Sequence, residues 1–222
     1  MIQNINNKIF IIENFIDNET CNFLIDSIHN YAIEDPKRSG FKIALNLNTQ
    51  VAISLMEKRP ILPASSDKEY QIAIDKTTAI INKIIKTVSE FYNIEYTLKT
   101  FCYTEMYEGT NNRVHADNKY VSENGEIKDR PTEIEDRSVL LYLNNNYDGG
   151  EIYFPKLNIS IKPKPGTLIF FEGNEDTAHG VKEISSGCRI NFISFLWPIK
   201  YAGMEPEIVD KVETLEFPLN TF

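Results

Sequence analysis

The spacing of apolar residues changes period near residue 96. Upstream, "KIFIIENFID" (residues 8–17) reads as a short strand ending at Asp17, a residue suited to cap a helix N-terminus. Cys21, Leu24, Ile25, Ile28 and Tyr31 follow at helical spacing and predict a first amphipathic helix, which also carries His29. Residues 33–63 are irregular, with "FKIALNL" and "VAISL" alternating like two short strands around Asn48 and Thr49. A second helix is marked by Ser66 and Glu69, the signature of a capping box. Its apolar stripe is Tyr70, Ile74, Thr77, Ile81, Ile84, Val88 and Phe91, with Lys83, Lys86 and Glu90 on the solvent side.

Downstream, "YTLKTFCYTEMY", "SVLLYLN", "GEIYF", "ISI", "TLIFF" and "RINFISFLW" are short runs of strand-forming residues. They are separated by the turn-like segments "NNNYDGG", "KPKPG" and "SSG". Many short strands after two helices, without βαβ alternation, predict an α+β chain with a mainly β core: an antiparallel sandwich or jelly roll with helices packed on one side. Residues 118–137 break the pattern, with ten charged side chains in twenty positions, and read as a solvated loop. No internal repeat or low-complexity segment is present.

Composition narrows the class. A chain of 222 residues with 42% hydrophobic residues can build one sizeable core, so a single folded domain over 1–222 is expected. The formal net charge of −9, with Lys and Arg scattered, disfavours phosphate backbones and anionic membrane surfaces; no nucleic-acid or membrane partner is expected. No apolar run approaches the roughly 20 residues that span a bilayer. Cys21, Cys102 and Cys188 are dispersed and read as buried thiols. With no basic segment leading into an apolar run at the N-terminus, they point to a reducing, cytoplasmic setting.

Candidate chemistry begins in "RVHADNKY", residues 113–120, where His115 and Asp117 stand two apart. In extended chain that spacing puts an imidazole and a carboxylate on one face, within reach of one metal ion. A short motif of this kind also arises by chance, so it needs a third ligand. His179, between "TLIFF" and "RINFISFLW", lies at one putative strand end as the pair lies near another, and the ends of a jelly roll gather at one mouth. Two imidazoles and one carboxylate leave open coordination positions, the arrangement of non-haem Fe(II) oxygenases. Ten residues on, Arg189 opens the last strand and offers a permanent guanidinium that can take a carboxylate through two hydrogen bonds.

The ordered set "YEG…HAD…LLYLN…DGGEIYF…KPKPGTLIFF…HG…R", roughly residues 100–197, resembles the 2-oxoglutarate/Fe(II)-dependent dioxygenases of the prolyl 4-hydroxylase type. The resemblance implies a double-stranded β-helix with Fe(II) held by His115, Asp117 and His179. It implies that Arg189 binds the far carboxylate of 2-oxoglutarate with the Tyr142 hydroxyl, that Tyr107 lines the cosubstrate pocket, and that Gly149 and Gly150 turn a hairpin in "DGGEIYF". Dioxygen would be the second cosubstrate, with ascorbate a further candidate cofactor, and the products would include succinate and carbon dioxide. Where related enzymes usually carry Trp, six residues after the 2-oxoglutarate-binding cation, this chain has Phe195; its only Trp is Trp197. A carboxylate at 117 separates it from the related halogenases, and Phe195 stands where the nucleic-acid demethylases carry a second Arg.

Three readings follow. The first is hydroxylation of a prolyl residue in a peptide or protein, with residues 38–60 and the loop 118–137 closing over the substrate. The second is the same chemistry on a small molecule such as a free amino acid. The third is a jelly-roll binding protein without turnover. His29 is assigned a structural role, and the segment from Tyr201 to Phe222 either packs on the barrel or reaches a partner.

Overall fold

The computed structural model of the chain describes residues 1–31, 33–34, 41–43, 68–121, 127–129 and 137–201. The expected strands in residues 51–55, the capping residue Ser66, most of the 38–60 segment and nearly all of the C-terminal segment lie outside these residues.

Fifteen strands are found among the described residues. β1 (Gln3–Ile5) and β2 (Ile9–Ile12) precede α1 (Asn18–Tyr31); β3 (Ile33–Glu34), β4 (Phe41–Ile43) and α2 (Lys68–Tyr92) follow. β5 (Tyr96–Tyr107) leads to β6 (Asn112–His115), β7 (Lys119–Val121), β8 (Ile127–Asp129), β9 (Arg137–Tyr142), β10 (Tyr147–Gly149) and β11 (Ile152–Phe154). β12 (Ile159–Ile161), β13 (Leu168–Glu172), β14 (His179–Val181) and β15 (Ile184–Pro198) complete the series.

The major sheet has the order β1-β2-β13-β9-β15-β5-β4-β3, with β10 pairing β15, and the minor sheet the order β12-β11-β14-β6. All pairings are antiparallel. The expected jelly roll, a double-stranded β-helix, is therefore the fold. Strand alternation gives the major sheet two apolar faces, since successive side chains point to opposite sides. One face joins Phe10, Leu141, Phe170, Tyr103 and Phe192 to Leu24 of α1 and to Ile81, Ile84 and Val88 of α2. The other face, Ile9, Ile11, Leu140, Tyr142, Ile169 and Phe171, packs against Ile152 and Phe154 of the minor sheet and forms the barrel interior. Both helices thus cover the outside of the barrel.

Asp17 acts as the N-cap, its Oδ1 accepting the Thr20 amide at 2.7 Å. Three local expectations need correction. "SSG" is not a turn but lies inside β15, and "NNNYDGG" contains the short strand β10. Residues 118–137 are not wholly irregular: β7 and β8 form a two-stranded ladder there. Most of the remaining positions of that segment lie outside the described residues.

Candidate metal centre and anion pocket

β6 and β14 pair in the minor sheet with His115 directly opposite His179, which brings two imidazoles 64 positions apart in sequence to ring centroids 4.7 Å apart. His179, expected at a strand end, is the first residue of β14. Asp117 follows the end of β6 in a turn, not in extended strand, and that turn is fixed by the Asn118 amide donating to the Gly173 carbonyl at 2.7 Å. Its carboxylate lies between the rings, Oδ1 3.2 Å from His115 Nε2 and Oδ2 3.8 Å from His179 Nε2. One ligand atom from each of the three falls within 4.8 Å of the others.

The rings are presented for ligation. His115 Nδ1 lies 2.8 Å from the Arg113 carbonyl and His179 Nδ1 3.2 Å from the Thr177 carbonyl. A carbonyl only accepts, so each Nδ1 carries a proton, and each Nε2 is the ring atom turned toward the carboxylate and left for ligation. Thr177 is itself placed by a 3-10 turn, Glu175–Thr177, capped by the Asn174 side chain. Asp117 Oδ2 accepts the Ser138 hydroxyl at 2.5 Å. A Cβ at Gly173 would lie 3.0 Å from Ser138 Oγ and 3.2 Å from Asp117 Cβ, so a larger residue would press on the Ser138–Asp117 contact.

Burial works against ionisation of Asp117, but His179, His115 and the Ser138 hydroxyl overcome it and hold the carboxyl at about 2. Burial lowers His179 to about 4, so this imidazole stays neutral at physiological pH. Burial pulls His115 down as well, yet its hydrogen bond and charge pairing with Asp117 outweigh that and raise it. Phe171, edge-on, and Phe154, tilted, pack against His179 at centroid distances of 4.8 and 5.5 Å and shield its far side from water. The residues therefore fit a divalent metal in donor type, tautomer and charge, with one face left open.

Deeper in the barrel lies Arg189, 2% exposed. Its Nη2 donates to the Tyr142 hydroxyl at 2.7 Å and its Nη1 to Asn191 Oδ1 at 2.7 Å. Asn191 Oδ1 also accepts from Thr104 Oγ1 at 2.8 Å, which fixes it as an acceptor. No carboxylate among the described residues pairs with Arg189, and its buried Nε has no partner. A buried cation without a counter-ion is costly, so the arrangement fits a pocket that receives an anion.

Tyr107 requires correction. Tyr103, Glu105 and Tyr107 share one face of β5, and the Tyr107 and Tyr103 hydroxyls both donate to the Glu105 carboxylate. In the β5–β15 register Tyr107 opposes Cys188, while Met106 opposes Arg189. The β5 side chain that reaches the guanidinium is Met106, whose Sδ lies 3.4 Å from Arg189 Nη1. Phe195 shares the Arg189 face of β15 and stands opposite Ser138 in β9, so it faces the triad end of the barrel. A cleft of about 470 Å3 lies on the outer side, between α1 and the loop after β9, and is lined by Cys21, Leu143, Asn144 and Ile190. It contains none of the triad, and Asn144 is committed to bonds with Cys188, Asn146 and Ile190.

Residues 101–197 match the family model of the 2OG-Fe(II) oxygenase superfamily. The chain is 34% identical over 130 residues to mouse (Mus musculus) prolyl 3-hydroxylase 2, an alignment covering 50% of this chain but 18% of that protein. The chain therefore spans only a small part of the length of this curated relative. Among solved structures, the viral collagen prolyl hydroxylase of Paramecium bursaria Chlorella virus-1, in complex with 2OG, has the same fold: TM-score 0.55 at 20% identity, covering 87% of this chain and 97% of that one. A prolyl hydroxylase of Trichoplax adhaerens, in complex with a hypoxia-inducible-factor peptide fragment, aligns with TM-score 0.54 at 16% identity, covering 91% of this chain and 89% of that one.

Proposed function

We propose that the chain is a 2OG-Fe(II) oxygenase of the prolyl-hydroxylase type and that it hydroxylates a prolyl residue of a peptide or protein. The observation that carries this reading is the pairing, in one barrel, of the His115, Asp117 and His179 cluster with a buried guanidinium that has no counter-ion among the described residues. His115, Asp117 and His179 would hold Fe(II), and Arg189 with Tyr142 would hold the far carboxylate of 2-oxoglutarate. When bound, the iron and cosubstrate supply the oxidising chemistry: dioxygen and 2-oxoglutarate are consumed, succinate and carbon dioxide leave, and a substrate C–H becomes C–OH.

The chain's own groups supply position. Ser138 holds Asp117 in the orientation that faces both imidazoles, and the carbonyls of Arg113 and Thr177 hold the rings. Asn191 and Tyr142 fix the guanidinium that would hold one end of the cosubstrate in place. Phe154 and Phe171 exclude water beside His179. A prolyl substrate is supported by the identity to prolyl 3-hydroxylase 2 and by the prolyl hydroxylases that share the fold. A reducing, cytoplasmic setting belongs to the same reading and is supported by the buried thiol of Cys21 and the dispersed placing of the three cysteines.

The test is anaerobic titration of 2-oxoglutarate into Fe(II)-loaded protein, followed by oxygen and a library of proline-containing peptides. The expected result is a visible charge-transfer band, then succinate and a peptide product heavier by one oxygen. A band with free proline as the only acceptor would favour the small-molecule reading. Bound iron with neither band nor succinate would leave a jelly-roll protein without turnover.

A further inference from the structure

Tyr147 begins β10 directly opposite Gly187 of β15. The register puts its side chain on the face of β15 that carries Arg189, two residues further along. Its hydroxyl is buried without a hydrogen-bond partner, as is Arg189 Nε. The Tyr142 oxygen accepts from Arg189 Nη2, so its own O–H remains to be donated. The Tyr142 hydroxyl, Arg189 Nε–H and the Tyr147 hydroxyl are therefore three donors in one buried region, with the Tyr147 oxygen beside the guanidinium.

The position of the Tyr147 ring is built into the backbone. Gly187 has φ +79°, and a Cβ there would lie 3.0 Å from Tyr147 Cα; a Cβ at Gly150 would lie 3.0 Å from ring Cε2. Lys162 Nζ stands 5.0 Å from the ring centroid and donates to the Tyr147 carbonyl at 2.5 Å. Held this way, Tyr147 is 3% exposed and its hydroxyl is buried. Burial pushes the phenol up to about 12 despite Arg189, so it remains protonated and can only usefully donate toward an anion. Burying such a group unpaired forfeits its hydration, a cost that a bound acceptor would remove.

We propose that Tyr147 is a third donor to the distal carboxylate of the cosubstrate and selects a dicarboxylate over a 2-oxo monoacid. This rests on 2-oxoglutarate being the cosubstrate. The residue would act with Arg189 and Tyr142 and have no part in holding the metal.

The experiment is anaerobic calorimetric titration of metal-loaded wild type and Tyr147→Phe with two acids, 2-oxoglutarate and 2-oxopentanoate, which keeps the chelating end and lacks the distal carboxylate. Tyr147→Phe should lose about tenfold or more in affinity for 2-oxoglutarate, the size expected for one hydrogen bond to a charged group, and none for 2-oxopentanoate. The metal-free variant should melt at or above the wild-type temperature, because it loses an unpaired buried hydroxyl and no contact of the ring. An unchanged 2-oxoglutarate affinity, or an equal loss for both acids, overturns the assignment while leaving the cosubstrate reading intact. Metal-loaded wild type that binds neither acid overturns both.

Discussion

Ser138 and Tyr142 stand four residues apart on one face of β9, the first bonded to the Asp117 carboxylate and the second to the Arg189 guanidinium. One strand thus touches both halves of the site, separated by about 13 Å of extended backbone. The two contacts should be separable by mutation. Ser138→Ala should weaken metal binding about 10- to 100-fold, the usual effect of removing a group that orients a ligand, and leave 2-oxoglutarate affinity of the metal-saturated protein nearly unchanged. Tyr142→Phe should do the reverse, costing about tenfold in 2-oxoglutarate affinity. Metal and cosubstrate titrations of both variants decide it; if each substitution damages both affinities alike, β9 is a scaffold and these side chains have no separate roles.

Metal removal and return should be visible in stability. A ligand at about 100 times its Kd adds about 2.7 kcal/mol to the folded state. For a chain of this size each kcal/mol raises Tm by about 2–4 °C, so a divalent metal should lift wild type by about 5–10 °C. His179→Ala should fold, since Phe171 and Phe154 remain to pack the site, but lose that metal-dependent shift. A variant that keeps the full shift would remove His179 from the ligand set.

Cys21 gives a pH prediction on the opposite face of the barrel. Burial is the largest influence on its thiol and pushes the pKa up to about 11, from 9.0. The folded state therefore prefers the protonated thiol more than the unfolded chain does. The corresponding stability is complete below pH 9 and is lost as pH rises through about 11. At pH 8 only about one Cys21 in a thousand would be thiolate, so alkylation with peptide mapping should leave Cys21 untouched in native protein and modify it on unfolding. Rapid native labelling at pH 8 would show that the helix α1 contact opens readily.

The sequence made some of this legible and hid the rest for identifiable reasons. β5 and the major part of β15 announce themselves by strand-forming residues, and α2 by a long apolar stripe, because each signal lies within one contiguous element. His115, Asp117, His179 and Arg189 stood out because the chain has three His and the residue types are chemically distinctive. The β6–β14 pairing that aligns the imidazoles is long-range and leaves no local mark. β10 was hidden within turn-like composition, since Tyr147–Gly149 needs Gly187 at positive φ to pair at all. Tyr107 drew attention as an aromatic, but only the register shows that its neighbour Met106 shares the Arg189 face. Alternation along "CYTEMY" puts Met106 and Tyr107 on opposite faces; which face was inward required the partner strand.

Arg189 offers the sharpest separation of function from stability. Its guanidinium is almost fully buried, bonded to Tyr142 and Asn191 but to no carboxylate among the described residues. Replacing a buried charge with an apolar side chain of similar length is often neutral or stabilising, because the desolvation cost disappears along with the charge. Arg189→Met keeps most of the volume beside Met106, and Asn191 retains its bond from Thr104. Metal-free Arg189→Met should therefore be as stable as wild type or up to about 2 kcal/mol more stable. Its affinity for 2-oxoglutarate should fall by at least about 100-fold, since an ion pair and its hydrogen bonds are lost together. Chemical denaturation and cosubstrate titration of the same sample provide both numbers. If the variant loses about 3 kcal/mol or more of stability while still binding 2-oxoglutarate, the guanidinium is a structural bolt between β9 and β15 and the anion is held elsewhere.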